Sequence, residues 1–428
     1  MLDFTYYNPC KVVFGASALN ELKSLLEQNE ASSLLLVYSG EFVKDLGIYQ
    51  HVQDTCDQLG IAFSANGDVV PNPRIELVRM LVQQGKETGV NFVLAVGGGS
   101  AIDTAKAVAL GIPYDGDVWD FFAGKVNYGM LAEKQAVVLE GAQIRMQPLP
   151  IGVITTLPSS GSETSNCAIL SNDLLKLGYE DDAIIPKFAI MNPEYTLGLP
   201  AYQTSCGIAD VLSHLLERYF SDVPDTGFSD HLIEAGIKSL LDIAKRLKQD
   251  SRDLGARSEL QWLASVAHNN LLDAGRCACW GAHRIEHELS AQYNITHGEG
   301  MAVVTLAWLR YVAKIKPHMP AKLAKSIFGI NVMPCVSATR QEQNIYQEQT
   351  VCQEQSENPD EIATYKLADE LEVFFKNLDL ATTLTELGID NSHFNAMAAR
   401  CTKDDTQVVG HYLPIDSQVF INILSLAM

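Results

Sequence analysis

Residues 91–110 read NFVLAVGGGSAIDTAKAVAL. Asn91–Val96 is a continuous apolar run of strand length, and Ala101–Leu110 has the composition of a buried helix. Gly97-Gly98-Gly99-Ser100 makes the turn between them. A strand apolar on both faces that passes straight into a helix is one βα unit of a parallel sheet covered on both sides. The surrounding sequence repeats the texture. Ser33–Tyr38 (SLLLVY), Ile61–Ala65, Ile151–Thr155 and Ala183–Met191 read as further strands, and Ile75–Glu87 has helical spacing after PNPR at 71–74. The expectation is an α/β domain with a parallel sheet over residues 1–194.

Beyond Asn192 the pattern changes. Pro193 and Pro200 interrupt the chain, and 3.6-residue periodicity then dominates in Cys206–Phe220, Asp230–Lys248, Glu259–Leu272, Met301–Lys316, Glu361–Leu378 and Asn391–Thr402. Residues 195–428 are therefore expected to form an all-α domain. Two segments read as insertions: Lys125–Met146, which has no clear period, and the Gln- and Glu-rich Met333–Pro359, expected to be a mobile surface loop.

Composition narrows the function. The chain has 428 residues, 47% hydrophobic and 19% charged, enough for a large core without disulfides. Its formal net charge of −21 opposes phosphate backbones, which argues against a nucleic-acid partner. No apolar run reaches the ~18 residues of a membrane helix. The start, MLDFTYYNPCKVVFG, lacks the basic and apolar segments of an export signal. Nine scattered cysteines, with C-x-C rather than C-x-x-C at 277–279, fit reduced thiols in a cytoplasm.

Two loops and one histidine set carry chemistry. Backbone N–H groups at the helix start after Gly97–Ser100 suit a phosphate, with Asp103 and Lys106 one turn in. The loop is neither G-x-G-x-x-G nor a Walker motif, so a purely structural turn stays open. Thr155–Glu163 (TTLPSSGSE) also follows a strand and offers hydroxyls for ribose or amide groups, or an ordinary capped turn. Asp210 and His214 are i,i+4, as are His283 and His287, and His297 follows ten residues later. On helices each pair points to one side. Together these imidazoles and the one carboxylate suit a divalent transition metal. His283–His287 also reads H-x-x-E-H, a zinc-peptidase pattern with Glu286 as base, but that leaves Asp210, His214 and the glycine loop without a role.

These blocks resemble the iron-containing, metal-dependent alcohol dehydrogenase family, above all its butanol-dehydrogenase-like branch. The likeness runs nearly end to end: YNP at 7–9, PNPR, GGGSAIDTAK at 97–106, YDGDVWDFF at 114–122, TLPSSGSE at 156–163, the helix carrying Asp210 and His214, HRIEHELSAQYNITHGEG at 283–300 and TLTELGID at 383–390. The resemblance implies a nucleotide-binding domain, a helical metal-binding domain and an active site between them. Carried over by motif, Asp210, His214, His283 and His297 are metal ligands, and His287 is a proton-relay member. Ser39, Gly40, Gly97, Gly98, Gly99, Ser100, Asp103, Thr155, Thr156, Ser159, Asn166 and Lys176 fall to the cofactor. The metal is expected to be Fe(II), with Zn(II) as the alternative, and the cofactor NAD or NADP. Glu41, after Ser39-Gly40, would disfavour a ribose phosphate if it faces it, which leans toward NAD. A small alcohol or aldehyde is the expected substrate, and a homodimer the expected assembly. A dehydroquinate-synthase-like lyase and a non-catalytic nucleotide-binding relative are the alternatives. The lyase needs several basic residues near the histidines, where Arg276 and Arg284 stand almost alone.

Overall fold

The structure is a computed structural model that describes residues 1–127, 147–332 and 358–428. The sheet strands are β1 (Lys11–Phe14), β2 (Ser33–Tyr38), β3 (Ala62–Asn66), β4 (Phe92–Gly97), β5 (Ile151–Thr155) and β8 (Phe188–Met191). They lie in the order β1-β8-β5-β4-β2-β3, and every pairing is parallel. The hairpin β6 (Cys167–Asn172) and β7 (Leu175–Glu180) is antiparallel and separate. Leaving out single-turn helices, this half carries α1 (Leu22–Gln28), α2 (Ile48–Leu59), α3 (Ile75–Thr88) and α4 (Gly99–Gly111).

Strand alternation explains the layers. Leu35, Val37, Val93, Ala95 and Val153 pack with Ile75, Val78 and Leu81 of α3 and Ile102 and Ala105 of α4. Their neighbours Leu34, Leu36, Phe92, Leu94, Val96 and Ile154 pack with Leu22, Leu25 and Leu26 of α1 and Ile48 and Val52 of α2. Period-2 side chains thus feed two cores, and that is why the strands read as unbroken apolar runs.

The second half is helical: α5 (Ala201–Tyr219), α6 (Gly227–Gln249), α7 (Leu254–His268), α8 (Gly281–Tyr293), α9 (His297–Ala313), α10 (His318–Phe328), α11 (Pro359–Asn377), α12 (Phe394–Thr402) and α13 (Ser417–Ser425). α5 is buried on all sides from Thr204 to Tyr219 and forms the axis of this half. Two glycines let its neighbours approach. A Cβ on Gly207 would stand 2.4 Å from the Pro158 carbonyl oxygen, and one on Gly298 would stand 2.0 Å from that of Cys206. The 156–160 loop and the start of α9 therefore press directly on the α5 backbone.

The sequence expectations need local corrections. The strand expected over 183–191 is limited to Phe188–Met191, because Asp181 caps a 3-10 turn at Asp182–Ile184. β1, the hairpin, α1, α2, α10 and α13 lie outside the sequence expectations. The helix expected at 259–272 is Leu254–His268, with Asp253 accepting from the Ala256 N–H at its start. The insertion expected to reach Pro359 stops short of it: Pro359 opens α11, capped by Asn358. The remaining parts of the two expected insertions, 128–146 and 333–357, lie outside the described residues, as do Cys335 and Cys352. The other seven cysteines are free thiols. No helix among the described residues is long and apolar enough to cross a membrane.

Candidate metal and nucleotide site

Asp210, His214 and Glu217 sit at i, i+4 and i+7 on α5, hence on one face. His283 and His287 lie in the first two turns of α8, and His297 opens α9. Asp210 Oδ1 is 3.4 Å from His297 Nε2, 3.7 Å from His214 Nε2 and 3.9 Å from His283 Nε2. Three imidazole nitrogens thus surround one carboxylate oxygen at separations mostly too long for hydrogen bonds. Asp210 Oδ1 and His283 Nε2 are buried without any hydrogen-bond partner. Leaving such groups unpaired costs about 1–3 kcal/mol each, or more when charged. A divalent cation among them would satisfy both, and one oxygen with three nitrogens is a donor set it accepts. The site is mostly closed: only His297 keeps appreciable exposure, 27% of its side chain.

The electrostatics follow. Burial opposes ionisation of Asp210, yet His214, His283 and His297 together hold its carboxyl well below the usual range. Burial takes His214 and His287 well below the usual imidazole range, with Lys176 adding to the effect on His287. His283 moves the other way: burial is overcome by Glu217 and Asp210, and its ring is pushed up to about 9. Ser159 Oγ donates to the second oxygen of Asp210 at 2.6 Å. Two more carboxylates stand behind the imidazoles. Glu217 accepts from His283 Nδ1, and Glu286 accepts from His297 Nδ1 and Ser290 Oγ. Lys176 Nζ lies 3.6 Å from Glu286.

The nucleotide candidates gather at the carboxyl ends of neighbouring strands β2, β4 and β5. Gly97 has φ +151, and a Cβ there would stand 2.7 Å from Ser39 Oγ. One on Gly98 would meet Leu157 at 3.0 Å, and one on Gly99 would meet Ser160 Oγ at 2.5 Å. Ser39, Gly40, Gly97–Ser100, Thr155 and Thr156 thus share one edge, where open parallel sheets bind ligands. Thr155 Oγ1 and Thr156 Oγ1 have no partner there. The same loop reaches Asp210 through Ser159, so the strand edge and the histidine cluster are contiguous.

Three other expected cofactor residues, Asp103, Asn166 and Lys176, have protein partners. Asp103 is buried, with one oxygen accepting from Ser162 Oγ at 2.6 Å and the other from the Ile169 N–H at 3.0 Å, tying α4 to the hairpin. Asn166 Nδ2 donates to Asp182, and its Oδ1 accepts from Asn270. Lys176 stands 3.6 Å from Glu286 and also acts electrostatically on Asp103. Sequence reasoning passed over His268, whose ring stacks on His214 at 4.4 Å and whose Nδ1 meets the Ser160 carbonyl. It also passed over Glu217, although the 210, 214, 217 spacing was visible. The H-x-x-E-H pattern marks Glu286 only as a peptidase base; buried and engaged by His297 and Ser290, it is not placed for that role. Arg276 is likewise committed, buried 2.7 Å from Asp230, which removes one of the two basic residues a lyase could use.

A glycine-rich edge of a parallel sheet, beside a buried cluster of three imidazoles and one aspartate, fits a divalent metal next to a bound nucleotide. The comparisons agree. The iron-containing alcohol dehydrogenase family model matches residues 9–193, and the C-terminal model of the Fe-containing alcohol dehydrogenase family matches residues 204–428. The chain belongs to the iron-containing alcohol dehydrogenase family. It is 33% identical over 426 residues to NADH-dependent butanol dehydrogenase A of Clostridium acetobutylicum, covering 99% of both chains. It is 24% identical to an NADPH-dependent aldehyde reductase of Escherichia coli, covering 97% of each. The crystal structure of an NADH-dependent butanol dehydrogenase A from Thermotoga maritima superposes with a TM-score of 0.85 at 29% identity, covering 100% of this chain and 99% of that one.

Proposed function

We propose that this chain transfers a hydride between a primary alcohol or aldehyde and NAD(P), using a divalent metal held by Asp210, His214, His283 and His297. Fe(II) is the expected ion and Zn(II) the alternative. The observation that carries the reading is the orphaned Asp210 Oδ1, ringed by three imidazole nitrogens beside the glycine-rich strand edge. When bound, the metal polarises the substrate oxygen and the nicotinamide carries the hydride.

The chain's own residues do the rest. Ser159 holds the outer oxygen of Asp210 and leaves the inner one directed at the imidazoles. His287, kept neutral by burial and with Nδ1 unpartnered, exchanges the substrate's hydroxyl proton. The N–H groups at the start of α4 hold the pyrophosphate, with Ser39, Gly40, Thr155 and Thr156 on either side. The site lies where residues 1–194 meet residues 195–428.

One carboxylate favours NAD over NADP: Glu41 follows Gly40 directly at this strand edge. Lys44, the nearby cation, is paired with Glu41 at 2.8 Å. A homodimer is supported by the outer strand β1, which pairs only with β8 among the described residues, and by the exposed Phe14 within it and the exposed Tyr6 and Tyr7 shortly before it in the chain. A cytoplasmic location fits the free thiols.

The test is direct. Metal-loaded protein is expected to oxidise NADH when given short aldehydes, to be slower with NADPH, and to leave both unchanged without aldehyde. A metal-replete preparation inert toward a panel of C2–C8 aldehydes would refute the assignment. Light scattering reads the dimer.

A further inference from the structure

We infer that Glu217 is the positioning residue that fixes His283 as a metal ligand, by capping α8 from a different helix and setting the tautomer of the His283 ring. The inference rests on the metal reading above. α8 begins without a cap of its own: its N-cap residue, Trp280, has φ +55, and its side chain makes no capping hydrogen bond. Glu217, on α5, supplies what is missing. Its backbone carbonyl accepts from the Cys279 N–H at 2.8 Å. Its Oε1 accepts from the Ala282 N–H at 2.8 Å, and its Oε2 accepts from the His283 N–H at 3.4 Å and from His283 Nδ1–H. One residue therefore satisfies orphan donors at a helix start and orients the first ring of that helix.

The chemistry is specific. A carboxylate only accepts, so it requires the proton of a neutral His283 ring to sit on Nδ1. That leaves the Nε2 lone pair for Asp210's side of the cluster, where Nε2 is buried and unpartnered. Because Glu217 shares a face with Asp210 and His214, one rigid helix sets three of the groups around the ion. Glu286 makes the same kind of contact with His297 Nδ1 but caps no helix from outside, so the double role belongs to Glu217.

Glu217→Gln separates the roles. The amide oxygen still caps α8, while the amide NH2 group turned toward His283 Nδ1 favours the opposite tautomer, with the proton on Nε2. Expected for the variant is a roughly 10–100-fold weaker Zn(II) affinity in competition with a chelating dye. The metal-free protein should keep the wild-type circular dichroism spectrum and NADH dissociation constant. A folded variant with wild-type Zn(II) affinity overturns the inference. If the wild type itself binds no Zn(II), the metal reading fails instead. Should the variant not fold, 15N-histidine NMR of the Zn(II)-loaded wild type decides. His283 bound through Nε2 with Nδ1 protonated supports the assignment, and His283 bound through Nδ1 overturns it.

Discussion

The two halves of the molecule reach the same site by opposite means. At the sheet edge the chemistry is offered by backbone: Gly97–Gly99 have no side chains, and a Cβ would collide with a neighbour at Gly97 and Gly99 and press tightly on Leu157 at Gly98. In the helical half it is offered by side chains on buried helices, Asp210 and His214 on α5, His283 and His287 on α8, and His297 on α9. The first arrangement is broken by adding atoms and the second by removing them. The contrast teaches where rigidity comes from: close backbone approach on one side, carboxylates paired behind the imidazoles on the other.

The largest expected effect joins the two modes. Gly298→Ala puts a Cβ 2.0 Å from the Cys206 carbonyl oxygen, a backbone atom that has no rotamer with which to yield. The start of α9 must move away from α5, taking His297 from Asp210. We expect loss of metal retention and a stability loss of about 1–3 kcal/mol or more, read by elemental analysis and denaturant titration. Wild-type metal content would show that the close approach is not what positions His297.

His283→Ala comes next. It should abolish metal retention, whereas His287→Ala should retain about one equivalent of metal and lower kcat by roughly 10²–10⁴-fold, the range of a lost general acid–base. Equal metal loss in both variants would erase the division of roles within α8.

Gly99→Ala should act on the nucleotide side alone. Its Cβ would meet only Ser160, with Oγ at 2.5 Å, which can rotate away, and Cβ at 3.1 Å, which must give slightly. We expect the KM for NADH to rise about tenfold, with metal content unchanged. A simultaneous loss of metal would mean that the two halves are not separable.

The smallest expected effect is one of pH. Glu288 is buried, and burial outweighs its pairing with Arg400, so its carboxyl is pushed up to about 6 from 4.5. The folded state then holds more protons than the unfolded state between those values. This contribution is full below about pH 4.5 and fades as pH rises through about 6, a change of about 2 kcal/mol. Glu288→Gln should therefore gain about 2 kcal/mol more, relative to wild type, at pH 7.5 than at pH 4.5. A pH-independent difference between the two proteins would contradict the shift.

Legibility in the sequence followed the same division. Ser33–Tyr38 and Ile151–Thr155 were readable to the residue because strands buried on both faces leave unbroken apolar runs. The hairpin was not: Leu175–Glu180 is half exposed and carries Lys176 and Glu180, so its pattern is diluted. Asp210 and His214 were legible as a pair because helical spacing maps directly onto a face. The bond from Ser159 to Asp210 and the stacking of His268 on His214 were not, since each is a tertiary contact that has no sequence period. Glu217 stood between these cases. Its spacing was visible, but its partner is 66 residues away.

The central claim is that α5, α8 and α9 clasp one cation beside a bound dinucleotide. Anomalous diffraction at the iron edge, from crystals loaded with Fe(II) and NAD, tests it most directly. The expected result is one peak within bonding distance of Asp210, His214, His283 and His297, with the nicotinamide ring next to it. A peak held by Glu286, His287 and His297, or a ring remote from the peak, would contradict it.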